Sequence, residues 1–262
     1  ALHLCLDFPN DHLVWDVGHQ SYTHKLLTGR KAGFDTLRQF GGMSGFPKRS
    51  ESDCDAFDTG HSSTSISLAL GMAKARDLKN EKSRVFAVIG DGALSGGMAF
   101  EALNNAARLK SNLVIVLNDN QMSISKNVGG MSNYLGNIRT NTNYTGLKED
   151  VENRLRSMSH IGNVLADHIK GAKDIVKRLF VPGMLFEDMG ITYIGPIDGH
   201  DVRQMVNAFE NASKLQKAVI VHVCTKKGKG YLPAENDPSA FHGVAPFKPS
   251  DGSLKNKEKQ LT

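Results

Sequence analysis

At 262 residues, 40% hydrophobic and 23% charged, the chain has an ordinary globular composition and room for one large domain or two small ones. Its formal charge of +5 is interspersed with acids, and the tightest basic cluster, Lys226-Lys227-Gly228-Lys229, is too short for a nucleic-acid surface; a basic loop near a phosphorylated ligand explains it as well. No apolar run approaches the roughly 18 residues of a membrane span, and three scattered cysteines, Cys5, Cys54 and Cys224, with no C-x-x-C pair, argue against a disulfide framework or structural zinc.

Ala1-Leu2-His3-Leu4 begins without Met and inside an amphipathic helical pattern. The chain therefore reads as a fragment, with a reducing, cytoplasmic setting as the expectation. Leu13 to Val17 reads as a strand broken by Gly18-His19-Gln20, and Tyr22 to Leu27 as a short helix closed by Gly29. Gly41 to Pro47 and the polar, acidic Ser50 to Asp58 read as loops. Gly60-His61-Ser62-Ser63-Thr64-Ser65 opens a helix running to about Leu78; its Ser/Thr cluster supplies N-cap candidates, and Ile66, Leu68, Leu70 and Met72 point to burial.

Val85 to Ile89 and Leu113 to Leu117 are apolar strand runs separated by a helical segment. Gln121 to Gly136, rich in Ser, Asn and Gly, reads as a ligand-facing loop. Asn141-Thr142-Asn143 reads as a turn, Lys148 to Phe180 as mostly helix, and Pro182-Gly183 as its stop. Thr192 to Ile194 and Ala218 to Val223 are further strands flanking a helix over Val202 to Leu215, and Thr225 to Tyr231 is a Gly/Lys loop. His200 reads as a cap on the Asp198-Gly199 turn. From Pro233 onward periodicity fades, and the polar tail reads as linker. Strands alternating with helices at crossover spacings give an α/β class, with a mainly parallel sheet and helices on both faces.

The most informative stretch joins the second and third strands. One ends in Gly90-Asp91-Gly92 and the next in Asn118-Asp119-Asn120. In a right-handed β-α-β unit both ends lie on one edge of the sheet. A carboxylate and a carboxamide oxygen converging there suit Mg²⁺, which takes hard oxygen ligands and is usually completed by phosphate. A dinucleotide site is the competitor. Gly90-Asp91-Gly92-Ala93-Leu94-Ser95-Gly96 is one residue too long for G-x-G-x-x-G, yet Asp119 could serve as the acidic residue at the end of the next strand. No G-x-x-x-x-G-K-[ST] loop is present.

The G-D-G…N pattern resembles the metal–diphosphate motif of thiamine-diphosphate enzymes. More specifically, six segments in order resemble the 1-deoxy-D-xylulose-5-phosphate synthase family, relatives of transketolase. They are Trp15 to Gln20, Gly60 to Ser65, Gly90 to Ala93, Asn118 to Ser125, Gly195 to His200 and Thr225 to Tyr231; Arg139 to Lys177 is the least family-like part. The resemblance implies condensation of pyruvate with glyceraldehyde 3-phosphate, with loss of CO₂, on thiamine diphosphate and Mg²⁺. It implies metal ligands at Asp91, Asn120 and the Met122 main chain. It further implies cofactor contacts at His19, Gly60, His61, Ser62, Gly92, Ala93, Asn120 and Tyr231, and catalytic roles for His19 and His242. Members of that family are much longer, three-domain chains. The expectation is a diphosphate-binding domain over residues 1–245 and a linker over 246–262 toward a pyrimidine-binding domain, the full protein being a homodimer that is cytoplasmic, or plastid where a transit peptide precedes it. The pyrimidine side of the site then lies outside this chain, and the isolated chain is expected to be inactive. Another transketolase-like enzyme, a thiamine-dependent decarboxylase, and a catalytically silent cofactor-binding module remain the alternatives.

Overall fold

The expected apolar runs pair into one five-stranded sheet, in a computed structural model that describes residues 1–140 and 184–254. The strands are β1 His12–Trp15, β2 Val85–Gly90, β3 Leu113–Asp119, β4 Thr192–Asp198 and β5 Ala218–Cys224, in the order β1-β2-β3-β5-β4. Every pairing is parallel. All strand C-termini therefore open on one edge, where an α/β sheet places its ligand. The polar turn, the long helix and the Pro-Gly stop read between Asn141 and Gly183 lie outside the described residues.

Period-two alternation explains the two cores. Val14, Ala87, Ile89, Ile115, Leu117 and Ile220 face one side, against α3 (Ser65–Lys79) and α5 (Gly97–Leu109). Leu13, Phe86, Val114, Val116, Val219 and Val221 face the other, against Leu2 and Cys5 of α1 (Leu2–Cys5) and Phe209 and Ala212 of a later helix, Val202–Lys214. Central strands buried on both faces are near-continuous apolar runs, as parallel sheets require. Pro196 sits in edge strand β4, where the pairing with β5 is interrupted between Ile194 and Ile197. Among the described residues the remaining α-helices are α2 (Tyr22–Leu27), α4 (Asp91–Leu94), α6 (Gly130–Thr140), α7 (Met184–Asp188), α8 (the Val202–Lys214 helix) and α9 (Leu232–Asn236), with a 3₁₀ helix at Lys31–Thr36. Among the described residues no helix is long and apolar enough to cross a membrane.

Three local readings are corrected. The loop expected over Gln121 to Gly136 ends earlier, because α6 begins at Gly130. Leu135 and Ile138 are buried in the core, and Met131 packs against it, so a helical apolar stripe was masked by the neighbouring Ser, Asn and Gly. The Ser/Thr cluster does not cap α3 through the N-cap side chain: Thr64 Oγ1 donates to the His61 carbonyl instead. The cap comes from Asp16 at the end of β1, whose carboxylate accepts from the Ser63 amide at 2.8 Å and the Ser65 amide at 3.0 Å. The stretch from Pro233 onward, read as without periodicity, contains most of α9 and a 3₁₀ turn at Ala240–His242, both too short to show a repeat.

Candidate active site

The turn after β1 is built to aim a histidine. Val17 and Gly18 both take left-handed backbone, at φ 58° and 83°. Gly18 suits this position twice over: it adopts positive φ freely, and an added Cβ would lie 2.6 Å from both Pro47 Cδ and Thr59 Oγ1. The next residue, His19, places its ring against His242, with centroids 4.6 Å apart and planes inclined by 37°. Its Nε2 is buried, with no hydrogen-bond partner among the described residues. Burial first, then the charges of His242, Arg38 and Lys227, lower its pKa, so the ring is neutral near pH 7.

β2 and β3 supply the second part. Gly90 pairs with Asn118, so Asp91 and Asp119 leave their strands side by side. Asp91 is buried, 6% exposed, and its Oδ1 accepts from the Gly92 amide at 3.0 Å. Burial, followed by the hydrogen bond and repulsion from Asp119, raises its pKa well above the carboxylate range. Asp119 goes the other way. Burial alone would raise it, but the hydrogen bond from His222 and the Arg139 guanidinium outweigh that and hold it ionised. Two consecutive side-chain turns follow: Asp119 Oδ1 accepts from the Gln121 amide and Asn120 Oδ1 from the Met122 amide, both at 3.0 Å. Between the Asp91 turn and this loop lies a cavity of about 210 Å³, lined by Asp91, Gly92, Ser95, Ser123, Asn127 and Ser132. A Cβ on Gly92 would sit 2.9 Å from Ser123 Cβ and 3.1 Å from Asn127 Oδ1.

The loop after β5 closes the third side. Lys227 Nζ donates to the Ser123 carbonyl at 2.6 Å and lies 2.9 Å from His242 Nδ1. Burial lowers the Lys227 pKa, and Asp91 opposes the shift. The carbonyl of His242 accepts from Gln20 Nε2 at 2.8 Å, tying this loop to the His19 turn. Gly60, His61 and Ser62 are exposed at the same rim. The His61 carbonyl accepts from the Val17 amide at 3.3 Å, and Ser63 Oγ donates to the Ala93 carbonyl at 2.7 Å. The described ring contacts of Tyr231 are with Phe241 and Phe247, in an aromatic cluster beside the histidine pair's loop. Phe247 belongs to the segment read as linker; it packs there, while residues 255–262 lie outside the described residues. His200 joins the loop by accepting from the Lys226 amide through Nε2 at 2.9 Å.

The sequence reading assigned no site role to Asp16 or His222, gave Asp119 one only in the competing dinucleotide reading, and took Lys227 as part of a basic loop near a phosphorylated ligand. Asp16 and Asp119 lie within the motif segments themselves. His222 is the one polar residue in the run Ala218-Val219-Ile220-Val221-His222-Val223, a signal that was available. The convergence of Lys227 on His242 depends on tertiary approach and leaves no local pattern.

An all-parallel five-stranded sheet with helices on both faces, and a polar cleft at its C-terminal edge, define an α/β domain of the transketolase fold. Solved transketolases bear this out: that of Campylobacter jejuni superposes with TM-score 0.58 at 22% identity, over 87% of this chain and 31% of its own. That of Leishmania mexicana gives 0.51 at 19%, over 82% and 28%. The family profile for 1-deoxy-D-xylulose-5-phosphate synthase matches residues 1–225, and the chain belongs to that family. The synthase of Lachnoclostridium phytofermentans is 66% identical over 247 residues, covering 94% of this chain and 40% of that protein. The Halothermothrix orenii synthase is 57% identical over all 262 residues, 41% of its length. The chain thus spans about two-fifths of the curated relatives it matches.

Proposed function

We propose that this chain forms the diphosphate side of a thiamine-diphosphate site in an enzyme that joins pyruvate to glyceraldehyde 3-phosphate, with loss of CO₂, to give 1-deoxy-D-xylulose 5-phosphate. The observation that carries this reading is the Asp91-Gly92 turn facing Ser123 and Asn127, in the loop that directly follows Asn120 and Met122, across a polar cleft, in a chain of this family. The residues present fit the cofactor. A buried carboxylate crowded by a second one invites a cation, and Gly92 keeps clear the space that a Cβ would fill.

In this reading the Asp91 carboxylate, the Asn120 side-chain oxygen and the Met122 carbonyl hold Mg²⁺, and the Gly92 and Ala93 amides face the diphosphate. The bound cofactor supplies the carbon nucleophile and the electron sink for decarboxylation. His19, neutral and with a free buried Nε2, is placed to exchange a proton with a substrate oxygen. The His242 ring lies tilted against it, and Lys227 holds a positive charge between His242 and the Ser123 carbonyl. Residues 1–245 act as the diphosphate-binding domain. The pyrimidine ring is held by the remainder of the full-length protein, a homodimer in this proposal.

The test is thermal protection of the full-length protein by Mg²⁺ and thiamine diphosphate together, since a ligand that binds only the native state raises its apparent stability. Asp91→Ala should remove that protection. Equal, ligand-independent melting of both proteins would overturn the assignment. Turnover of pyruvate and glyceraldehyde 3-phosphate by the full-length protein separates the synthase from a silent binding module.

A further inference from the structure

We propose that His222 is a positioning residue for the metal–diphosphate site. It fixes the Asp119 carboxylate, and through Asp119 the turn that presents Asn120 and the Met122 carbonyl. The proposal rests on the reading of that site given above.

His222 is fully buried on β5, in a run where every neighbour is apolar. An imidazole in such a place costs stability unless both nitrogens are paired. Both are: Nδ1 lies 2.6 Å from the Tyr193 hydroxyl on β4, and Nε2 lies 3.0 Å from Asp119 Oδ2 on β3. The contacts run across three adjacent strands beneath the C-terminal edge and end at the carboxylate that touches both halves of the site. Asp119 faces Asp91 on one side, while its Oδ1 holds the Gln121 amide on the other. Its carbonyl accepts from Thr225 at 2.9 Å and from Arg139, so the Asp119 backbone is pinned. Its Oδ1 holds the Gln121 amide and faces Arg139 at 3.3 Å, and His222 fixes the other oxygen, Oδ2, which sets the rotation of the carboxylate. Rotated away, Asp119 would release Gln121 N, and the turns that set the directions of Asn120 Oδ1 and the Met122 carbonyl would loosen.

A metal among Asp119, His222 and Cys224 is the rival explanation, because one ligand atom from each falls within 4.8 Å of the others. The Arg139 guanidinium already occupies that charge position, 3.3 Å from Asp119 Oδ1 and against Cys224. The imidazole and carboxylate are spent on each other. A polar pair with that geometry serves to orient, as the partners of metal ligands generally do.

The experiment measures thiamine diphosphate binding to the full-length apoprotein by calorimetry across a Mg²⁺ titration. His222→Leu removes both contacts at similar size. His222→Asn keeps reach toward Tyr193 but falls short of Asp119, and His222→Gln carries an amide out to the Nε2 position. The Leu and Asn variants should raise the apparent Mg²⁺ Kd by about 10- to 100-fold, and Gln should recover most of the loss. An unchanged Kd in Leu and Asn, or a Gln variant as weak as Leu, would overturn the proposal. So would failure of both Leu and Asn to fold while Gln folds with wild-type affinity for neither ligand. Asp91→Ala run alongside separates the two levels: if it binds Mg²⁺ normally, the site assignment falls, whereas silence of the His222 variants alone removes only the present inference.

Discussion

His19 and His242 meet ring against ring, 4.6 Å between centroids, although one follows β1 and the other lies in the 3₁₀ turn after α9. The Gln20 contact to the His242 carbonyl holds the two loops together, and Lys227 braces the far imidazole. Burial contributes most to the lowered pKa of both rings, and for His242 the Lys227 charge adds to it. A cation beside two imidazoles in contact favours neutral rings that can accept as well as donate.

From this follows the first prediction. In the full-length protein His19→Asn keeps similar size and one donor but removes the titrating ring. Turnover should fall by about 10² or more, the usual scale for a general acid or base, with little change in melting temperature. Steady-state rates and a melting curve decide it. A large loss of stability with near-normal turnover would instead make His19 a prop for the strand that carries Trp15.

A second prediction separates two neighbouring glycines. Gly92→Ala puts a methyl 2.9 Å from Ser123 Cβ, so the loop that carries Asn120 and Ser123 must shift. Nothing lies within 4 Å of a Cβ at Gly90, which pairs in β2 at ordinary φ. Gly92→Ala should weaken thiamine diphosphate binding about tenfold or more, a cost of at least ~1.4 kcal/mol, while Gly90→Ala should bind nearly as the wild type. Calorimetric titration of both variants checks this, and equal affinities would remove the steric argument.

These two sites also show what the sequence made legible. The strands were readable because each central one is buried on both faces and must be apolar throughout. The Asp91 and Asn120 strand ends were readable because parallel pairing fixes their edge. Two things were hidden. α6 starts among Gly, Ser and Asn, whose local preference for turns is overridden by burial of Leu135 and Ile138. The acidic Ser50 to Asp58 stretch looked like solvated loop, because composition does not show that Glu51 and Asp55 have cations waiting in α2 and just beyond it.

The third prediction concerns pH. His3 lies 2.9 Å from His24 Nδ1, and burial, then the His24 charge, lowers its pKa from 6.5 to about 4. Between those values the unfolded chain binds more protons than the folded one. Stability from this group is therefore complete above pH 6.5 and declines as pH falls toward 4. Because the ring is only part-buried, solvent screening keeps the effect small. Melting at pH 5 should be lower than at pH 7, with His3 accounting for roughly 1 to 3 °C of the difference. His3→Gln should narrow that gap, and an unchanged gap would show that other groups carry the pH dependence.

The fourth prediction tests the floor beneath the His19 turn. Asp55 is 3% exposed and accepts four bonds: from Arg30 Nη1 at 2.6 Å, Arg30 Nη2 at 2.8 Å, His24 Nε2 at 3.0 Å and the Lys48 amide at 2.7 Å. Burial alone would raise its pKa, but the His24 and Arg30 bonds overcome it, and the carboxylate stays ionised far below the usual range. Beside it, fully buried Lys25 meets Glu51 at 2.5 Å. Asp55 thus anchors Lys48, and the preceding residue, Pro47, walls the Gly18 turn. Asp55→Asn keeps the shape but takes from the Arg30 guanidinium, in a site that is 11% exposed, its nearest carboxylate, leaving Glu51 at 3.7 Å and the Thr28 hydroxyl. Breaking one half of such a buried pair costs about 3–5 kcal/mol, mostly from the stranded charge. Asp58→Asn, in the exposed pair with Arg49 at 3.6 Å, should leave stability unchanged within measurement. The decisive comparison is the double variant Arg30→Met, Asp55→Asn. If the cost is the stranded charge, removing Arg30 as well should restore part of the stability lost by Asp55→Asn alone, as read from urea unfolding midpoints. A double variant as stable as the single one would mean that Asp55 acts through His24 and Lys48 and that Arg30 is incidental to the loop's anchorage, whereas a less stable one would mean that Arg30 contributes on its own through Thr28 and Glu51.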